Sequence, residues 1–189
     1  MEGMKARVGL KLNVNYQLKD RKGKTKKLFQ ENSLFRFLIK KGLLSPRFPK
    51  IPYLLGTWSD KKVVSNLVTT AGKGAVAGLI NGVVTNFFEY IAVGTGTTAA
   101  AIGDTALEAE IVDSGLARVS STTSRVTTDT TNDTAQLTTT FTVSGTKAVT
   151  ESGVLDSAST GTLLARQVFS AINVVSGDSL TITWKIDVD

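Results

Sequence analysis

The chain has 189 residues, 41% of them hydrophobic, which is enough for one ordinary domain or for one domain with a substantial arm. It contains no cysteine and no histidine, so disulfides, thiolate nucleophiles, Ser-His-Asp catalysis and histidine zinc sites are excluded. An enzyme would have to work with carboxylates, lysine, tyrosine or backbone groups alone. The sequence therefore predicts a non-enzymatic protein without a cofactor or a metal.

Charge is distributed unevenly along the chain, whose formal net charge is +6. Residues 1–62 hold 16 Lys and Arg against 4 Asp and Glu, whereas residues 63–189 hold 6 against 12. A subunit with one basic and one acidic part favours head-to-tail contact with copies of itself, or contact with nucleic acid through the basic part. The alternative is that the lysines only solvate a surface segment.

Neither a secretory signal nor a membrane span is predicted. The N-terminal residues lack a continuous apolar run. The most apolar long stretch, residues 63–93, is interrupted by polar and charged side chains such as Lys73 and Glu89. We therefore expect no membrane contact.

The N-terminal region predicts a strand followed by a tight turn. From Val8 to Leu18 every second residue is apolar, a period of two that is typical of a half-buried strand. Residues 20–24 form the predicted turn, in which Gly23 supplies a positive φ, and the chain returns as a strand over residues 25–29. Residues 1–30 are therefore predicted to pair into the main domain.

Basic residues cluster at this turn. Six of the nine residues 19–27 are Lys or Arg: Lys19, Arg21, Lys22, Lys24, Lys26 and Lys27. Such a cluster can contact phosphates without sequence specificity, and it can equally keep the edge of a sheet soluble. Because no recognition helix or aromatic stacking surface is evident, weak nucleic-acid contact through the basic N-terminal third is the minor alternative.

Residues 31–62 predict a basic arm inserted into the domain. A short helix is expected over residues 33–42, capped by Asn32 or Ser33 and ended by Gly42. The three prolines of the chain and three interleaved aromatic residues follow: Pro46, Phe48, Pro49, Pro52, Tyr53 and Trp58. Because proline can neither donate to a strand ladder nor continue a helix, this part is predicted to be extended, with a partner covering its aromatic residues. The alternative is that the arm folds back on its own sheet.

Residues 63–189 predict an antiparallel β-sandwich domain. A helix rich in small residues is expected from Thr70, its cap, to Gly82, and strands are expected at 61–70, 87–93, 116–128, 135–144, 148–155, 163–169 and 179–188. In the last strand one face is apolar throughout: Leu180, Ile182, Trp184, Ile186 and Val188. The predicted fold class is mainly β, an antiparallel sandwich with one or two short helices and an extended basic, proline-containing arm.

Two glycine-containing patterns come close to nucleotide-binding motifs without completing them. Residues 71–74 (AGKG) have Leu67 and Gly74 where a phosphate-binding loop requires glycine and Ser or Thr. Residues 94–96 (GTG) lack the third glycine of a dinucleotide loop, since Ala99 stands in its place. We interpret the GTG sequence as a tight connection where backbones approach closely.

Four acidic residues, Asp104, Glu108, Glu110 and Asp113, form a local cluster. Oxygen ligands at this spacing could hold calcium, but the glycine-bearing loop that calcium sites need is missing. The cluster therefore predicts a solvated acidic edge, which could also accept the basic arm of a neighbouring copy.

A series of short motifs follows in order through residues 63–189. They are residues 66–73 (NLVTTAGK), 90–98 (YIAVGTGTT), 104–110 (DTALEAE), 150–155 (TESGVL), 161–166 (GTLLAR) and 177–184 (GDSLTITW). In this order they resemble a family of small virion proteins of tailed bacteriophages. The resemblance implies a β-sandwich of the tail, the neck or the head accessories, and it supplies no catalytic residues.

With this resemblance, the sequence predicts a structural virion component that is assembled in the host bacterial cytoplasm, in many copies, at the neck or tail. Its partners would be copies of itself and other virion proteins, and residues 31–62 would provide particle-specific attachment. The expected interaction residues are the six basic residues of the turn together with Phe48, Tyr53 and Trp58. A capsid-decoration protein is the alternative, and a DNA-binding accessory protein is a further one.

Overall fold

Two antiparallel sheets face each other in the structure, a computed structural model that describes residues 9–47, 50 and 54–188. The helices of this part are α1 (Ser33–Lys40) and α2 (Thr70–Asn81). Its strands are β1 (Leu10–Lys19), β2 (Thr25–Lys26), β3 (Leu28–Glu31), β4 (Gly56–Ser59), β5 (Lys62–Ser65), β6 (Leu67–Val68), β7 (Tyr90–Gly94), β8 (Val119–Ser120), β9 (Thr122–Val126), β10 (Thr134–Thr142), β11 (Lys147–Leu155), β12 (Leu163–Val174) and β13 (Ser179–Val188).

The first sheet has the order β2-β1-β13-β10-β9, and β5 also pairs with β1. β1 pairs with β13 along its whole length, from Leu10 opposite Val188 to Lys19 opposite Ser179. The second sheet has the order β6-β12-β11-β7-β8. The described strand pairs are antiparallel, so the predicted mainly β, antiparallel sandwich is confirmed.

Alternate residues of β1 and β13 fill the space between the sheets, as their period of two predicts. Tyr16 and Trp184 are fully buried. The ring of Tyr16 lies 4.4 Å from that of Phe169 on β12, measured between centroids, and Trp184 Nε1 donates to Ser152 Oγ on β11 at 3.2 Å. These contacts join the two sheets, and each large apolar side chain buried here contributes about 1.5–3 kcal/mol.

Strands β11 and β12 are buried on both faces, whereas β1 is buried on one. One face of β11 and β12 packs on the first sheet. Residues 94–110 and α2 cover the other face, where Leu107 packs with Ala92, Leu155 and Leu163. Because both faces are buried, a charged residue in these strands needs a partner inside the protein.

Helix α2 lies against β12, and the AGKG sequence is part of this helix. The helix is capped by Thr69, one residue before the predicted cap, whose side chain accepts the N–H of Gly72 at 2.8 Å. It ends at Gly82, which has a φ of +75°. Gly72 allows close packing, since a Cβ there would lie 2.7 Å from the Cα of Leu164.

The segment 31–62, for which an extended arm is predicted, is largely folded in its described residues. β3 and β4 form a two-stranded sheet, on which α1 packs. Phe29, Phe35, Ile39 and Leu55 form a small apolar core of their own. The prediction overlooked this core because Phe35 and Ile39, one helical turn apart, meet residues distant in sequence, Phe29 of β3 and Leu55, which directly precedes β4. We call the described residues of 28–59 the lobe.

Candidate interaction surfaces

The basic cluster of residues 19–27 surrounds the turn between β1 and β2. Gly23 has a φ of +79°, as the turn requires. The carboxylate of Asp20 accepts the backbone N–H groups of Lys22 and Lys24 at 2.8 and 2.9 Å. The hydrogen bond from Lys24 is the main cause that holds the pKa of Asp20 below its usual value. The acid therefore fixes the backbone of the turn from which the basic side chains project.

Two of the six basic residues are paired within the chain. Lys26 Nζ lies 2.7 Å from the buried carboxylate of Asp178, and Lys27 Nζ lies 2.8 Å from Asp60. The other four are exposed and form no ion pair within the described part of the chain: Lys19, Arg21, Lys22 and Lys24. The structure thus brings four free cations together at one end of the first sheet.

The lobe exposes apolar side chains beside cations. Five of its large apolar side chains are 46–67% exposed: Leu34, Phe37, Leu43, Leu54 and Trp58. Arg36 and Lys40 on α1 are exposed as well. Large apolar residues that remain exposed on a small unit indicate contact with another molecule, more so when aromatic and arginine side chains are among them.

Of the three aromatic residues predicted to contact a partner, Trp58 lies within the described part of the chain. Its ring packs edge-on against Phe29 with centroids 5.6 Å apart, and Lys50 Nζ lies 5.7 Å from the Trp58 centroid, a cation–π arrangement. The indole is therefore anchored in the lobe while about half of its surface faces solvent. Phe48 and Tyr53 lie outside the described residues.

A buried ion pair fastens the lobe to β12. Lys62 Nζ lies 2.6 Å from Glu31 Oε1, and their side chains are only 1% and 2% exposed. Lys62 also donates to the carbonyl oxygens of Phe29 and Ser170 at 3.1 and 3.0 Å, and Glu31 accepts the backbone N–H of Ser170. Glu31 and Lys62 are the two ends of the predicted arm, so the segment is held at both ends.

Burial and charge act in opposite directions on this pair. Burial lowers the pKa of Lys62 to about 8, although the neighbouring charge of Glu31 favours the protonated amine. Burial also acts against ionisation of Glu31, but the charge of Lys62 and the hydrogen bonds from Lys62 and Ser170 outweigh it and keep the pKa of Glu31 below its ordinary value. The two residues are therefore both charged near neutral pH.

The predicted acidic edge is organised around an arginine of the same chain. On β12, Arg166 places its Nε 2.7 Å from Glu151, one terminal nitrogen 2.8 Å from Asp104 and the other 3.3 Å from Glu108. Burial acts against the charged guanidinium, but the hydrogen bonds and charges of these carboxylates raise the pKa of Arg166. Asp104 and Glu108 are thus engaged internally, which corrects the expectation of an acidic edge held only by solvent.

The other two acids of the predicted cluster are paired in the same way. Arg118 binds the Glu110 carboxylate through two nitrogens, at 2.9 and 2.7 Å. Lys147 Nζ lies 2.7 Å from Asp113. Each of the four acids therefore has a cation of this chain as its partner, and the cluster is not a free acceptor for the basic arm of a neighbour.

Glu151 also explains the GTG sequence. Its carboxylate accepts the backbone N–H groups of Gly96, Glu108 and Ala109 at 3.0, 3.1 and 2.8 Å. A Cβ on Gly96 would lie 2.5 Å from Glu151 Oε1, and one on Gly94 would collide with the same carboxylate. The interpretation of this sequence as a tight connection is confirmed.

Sequence reasoning missed Glu151, Arg166, Glu31 and Lys62, which carry the buried electrostatics. For Glu151 and Arg166 a signal exists, because each stands inside a run that is predicted to be a strand and that holds apolar residues on either side, Val149 and Val154 for Glu151 and Leu164 and Val168 for Arg166. A charge in a strand buried on both faces predicts a partner of opposite charge. For Glu31 and Lys62 the sequence gives no comparable signal, because they stand at the two bounds of the predicted arm, where no element buried on both faces is expected.

Among residues 9–47, 50 and 54–188, no group of three or more acidic side chains is arranged to hold a metal ion. Neither described helix is long and apolar enough to cross a membrane.

No family model matches the chain, and no match is found among curated proteins or solved structures.

Proposed function

We propose that the chain is a structural component of a tailed-bacteriophage particle that assembles in many copies at the neck or tail. The observation that carries this proposal is the exposed apolar and basic surface of the lobe, which a buried ion pair attaches to the sandwich. A surface of this kind on a firmly held unit is suited to repeated contact with identical or related subunits.

The resemblance to small virion proteins supports the phage context. Its motifs at 90–98, 104–110, 150–155 and 161–166 are distant in sequence but contribute to one network around Glu151 and Arg166. These motifs therefore supply the side chains that fix residues 94–110 to the second sheet, as is expected of residues that maintain a shared scaffold.

The internal pairing of the acidic cluster affects how subunits would contact each other. The four acids of the cluster already have partners. Contacts that the lobe makes with a neighbouring subunit would therefore be mainly apolar, and its exposed cations would help to orient the two subunits. Assembly that depends on apolar contact persists in salt, whereas assembly through surface ion pairs is screened.

Light scattering of the purified chain across protein concentration and salt tests the proposal. A trimer, or a ring of about six or twelve copies, that persists in salt is expected for a neck or tail component. Phe37→Ser should shift this species towards the monomer, while the control Ile80→Ser, which changes an exposed residue of α2 outside the lobe, should not. A chain that stays monomeric at all concentrations contradicts the neck or tail assignment.

A capsid-decoration protein is the second candidate, and the same lobe surface favours it if the chain is monomeric. A decoration protein orders on a preformed lattice, so its lobe would find a partner only there. The experiment is co-sedimentation with assembled particles, and Phe37→Ser should abolish binding.

The four free cations of the turn favour a DNA-binding accessory protein as the remaining candidate. Four phosphate contacts would give a slope of about −3.6 for the logarithm of the affinity against the logarithm of the salt concentration. Exchanging Lys22 and Lys24 for Glu should then reduce this slope by about half. Unchanged binding in the exchanged variant would exclude the turn as a DNA contact.

A further inference from the structure

A groove of about 260 Å³ lies where β7 begins and β11 ends. Residues 85–87, 89–90 and 156–158 line it, and we call it the acidic groove. Its volume is below that of small-ligand sites, about 300–1,000 Å³, but it can take a side chain of a partner protein.

Two acids of the groove, Glu89 and Asp156, form no ion pair within the described residues. Ser120 Oγ donates to Glu89 Oε2 at 3.2 Å, and the backbone N–H of Thr162 donates to Asp156 Oδ1 at 2.6 Å. These bonds fix each carboxylate while its second oxygen has no hydrogen bond in the described part of the chain. The groove is therefore negatively charged and offers free acceptors.

The groove also carries an aromatic ring that faces solvent. Phe87 is 59% exposed, and no other aromatic side chain outside the lobe is exposed among residues 9–47, 50 and 54–188. The lobe combines exposed aromatic side chains with cations, so the groove is its counterpart in charge and resembles it in apolar character. Surfaces that match in this way suit each other in a protein interface.

The charge of the lobe opposes contact between two lobes. Its one acid, Glu31, is buried and paired with Lys62. The exposed charged residues of the lobe, as far as the structure describes it, are all cations: Arg36, Lys40, Lys41 and Arg47. Two identical lobes in contact would bring like charges together. A surface of the same chain with free acids is the better partner.

We propose that the lobe of one copy binds the acidic groove of the next copy, so that the subunits assemble head to tail. Phe37 of the lobe packs on Phe87 of the neighbour. Lys40, three positions from Phe37 and on the same side of α1, meets the free oxygens of Glu89 and Asp156. This inference rests on the proposed function, in which the lobe contacts identical subunits, and it adds the surface that the lobe contacts.

The two surfaces are separated, so each copy can use both at once. β12 begins at Leu163, just after the turn that Asp156 closes, and it holds the lobe at Ser170. The rise over these seven residues is about 23 Å. Contact between two different surfaces of identical subunits closes into a ring where the rotation between neighbours permits. Head-to-tail contact therefore yields a ring and not a two-fold dimer.

The test mixes two variants that each break one surface, Phe37→Ser in the lobe and Phe87→Ser in the groove. Each variant alone should stay monomeric at a concentration at which the wild type assembles. An equimolar mixture should form a 1:1 dimer, because the intact groove of the first variant binds the intact lobe of the second and neither can extend the assembly. Size-exclusion chromatography with light scattering measures these masses. A Phe87→Ser variant that assembles as the wild type does, or a mixture that stays monomeric, would overturn head-to-tail contact.

Charge reversal tests the same contact without changing an apolar residue. Glu89→Lys and Lys40→Glu should each weaken assembly by at least about tenfold, because like charges would then meet in the interface. The matched controls are Asp129→Lys and Lys73→Glu, which change exposed charges outside both surfaces and should leave assembly near that of the wild type. Equal weakening in targets and controls would show that net charge, and not the groove, governs assembly.

Two outcomes separate the groove from the proposed function. A wild-type chain that stays monomeric at all concentrations contradicts both. If the wild type and Phe87→Ser assemble alike while Phe37→Ser is monomeric, the acidic groove is excluded as the partner surface, and assembly through the lobe stands.

Discussion

Glu151 and Arg166 meet 2.7 Å apart on the adjacent strands β11 and β12, where their side chains are 0% and 3% exposed. The carboxylate also accepts three backbone N–H groups from residues 96–109, and the guanidinium reaches two further acids there. This pair therefore fixes residues 94–110 to the second sheet, which they cover. These hydrogen bonds pair nearly every polar side-chain atom of Glu151 and Arg166, which burial would otherwise leave without a partner.

Replacing Arg166 with Met should destabilise the protein by about 3–5 kcal/mol, because Glu151 would remain buried without a cation. Urea unfolding at neutral pH measures the change. Lys147→Met is the matched control, since Lys147 and Asp113 are 29% and 61% exposed. A pair of that exposure is screened by solvent, so the loss in this variant should be clearly smaller than in Arg166→Met. Equal losses in the two variants would show that burial does not govern the strength of these pairs.

The strands of the sandwich could be predicted from the sequence, but the pairing of its charges could not. Period-two alternation identifies β1 and β13 because each has one buried face. The partners of Arg166 depend on which strands become neighbours and on how residues 94–110 cover them. Asp104 lies 62 residues away from Arg166 along the chain, so neither residue reveals the other in the sequence.

Two glycines of α2, only two positions apart, should respond to alanine in opposite directions. A Cβ on Gly72 would lie 2.7 Å from the Cα of Leu164, whereas a Cβ on Gly74 would meet no atom within 4 Å. Gly72→Ala should therefore push the helix off β12 and cost about 1–3 kcal/mol. Gly74→Ala should stabilise the protein by about 0.5–1 kcal/mol through helix propensity. Thermal unfolding of both variants distinguishes the signs, and a stabilised Gly72→Ala variant would refute the close packing of α2.

The folded lobe differs from the extended arm that residues 31–62 predict. Proline content and missing periodicity predict irregular structure locally, and the helix predicted over 33–42 is present over Ser33–Lys40 with Asn32 as its cap. However, the lobe core joins Phe29 and Leu55, which are brought together by the pairing of β3 with β4. Pairing across so long a connection depends on tertiary packing rather than on a local signal.

Thr160 has a φ of +52°, a left-handed conformation that β-branched residues rarely adopt. Thr160→Gly should relieve this strain and stabilise the protein by about 1 kcal/mol. Its carbonyl, which accepts from Arg118 at 2.7 Å, is kept in the variant. Ser159→Gly, next to it and without a positive φ, is the control and should be neutral or slightly destabilising. Chemical denaturation measures both changes, and a loss of stability in Thr160→Gly would contradict the expected strain.

The buried pair of Lys62 and Glu31 makes stability depend on pH in the alkaline range. The pKa of Lys62 is lowered from 10.5 to about 8 in the folded chain, chiefly by burial. Between these values the unfolded chain binds a proton that the folded chain has released. The free energy of unfolding should therefore rise with pH in this window, by up to about 1.4 kcal/mol per pH unit, relative to a variant that lacks the amine.

The suitable reference is the double variant Glu31→Gln, Lys62→Met, because Lys62→Met alone leaves a buried carboxylate without a cation. The pKa of Glu31 is below its ordinary value, so Glu31 does not titrate in the alkaline window and its removal leaves the comparison intact. Urea unfolding of both chains from about pH 7 to pH 10 should give curves that coincide in slope below the pKa of Lys62 and separate above it. Parallel curves throughout would mean that Lys62 keeps its ordinary pKa, and hence that the pairing with Glu31 outweighs the effect of burial on the amine.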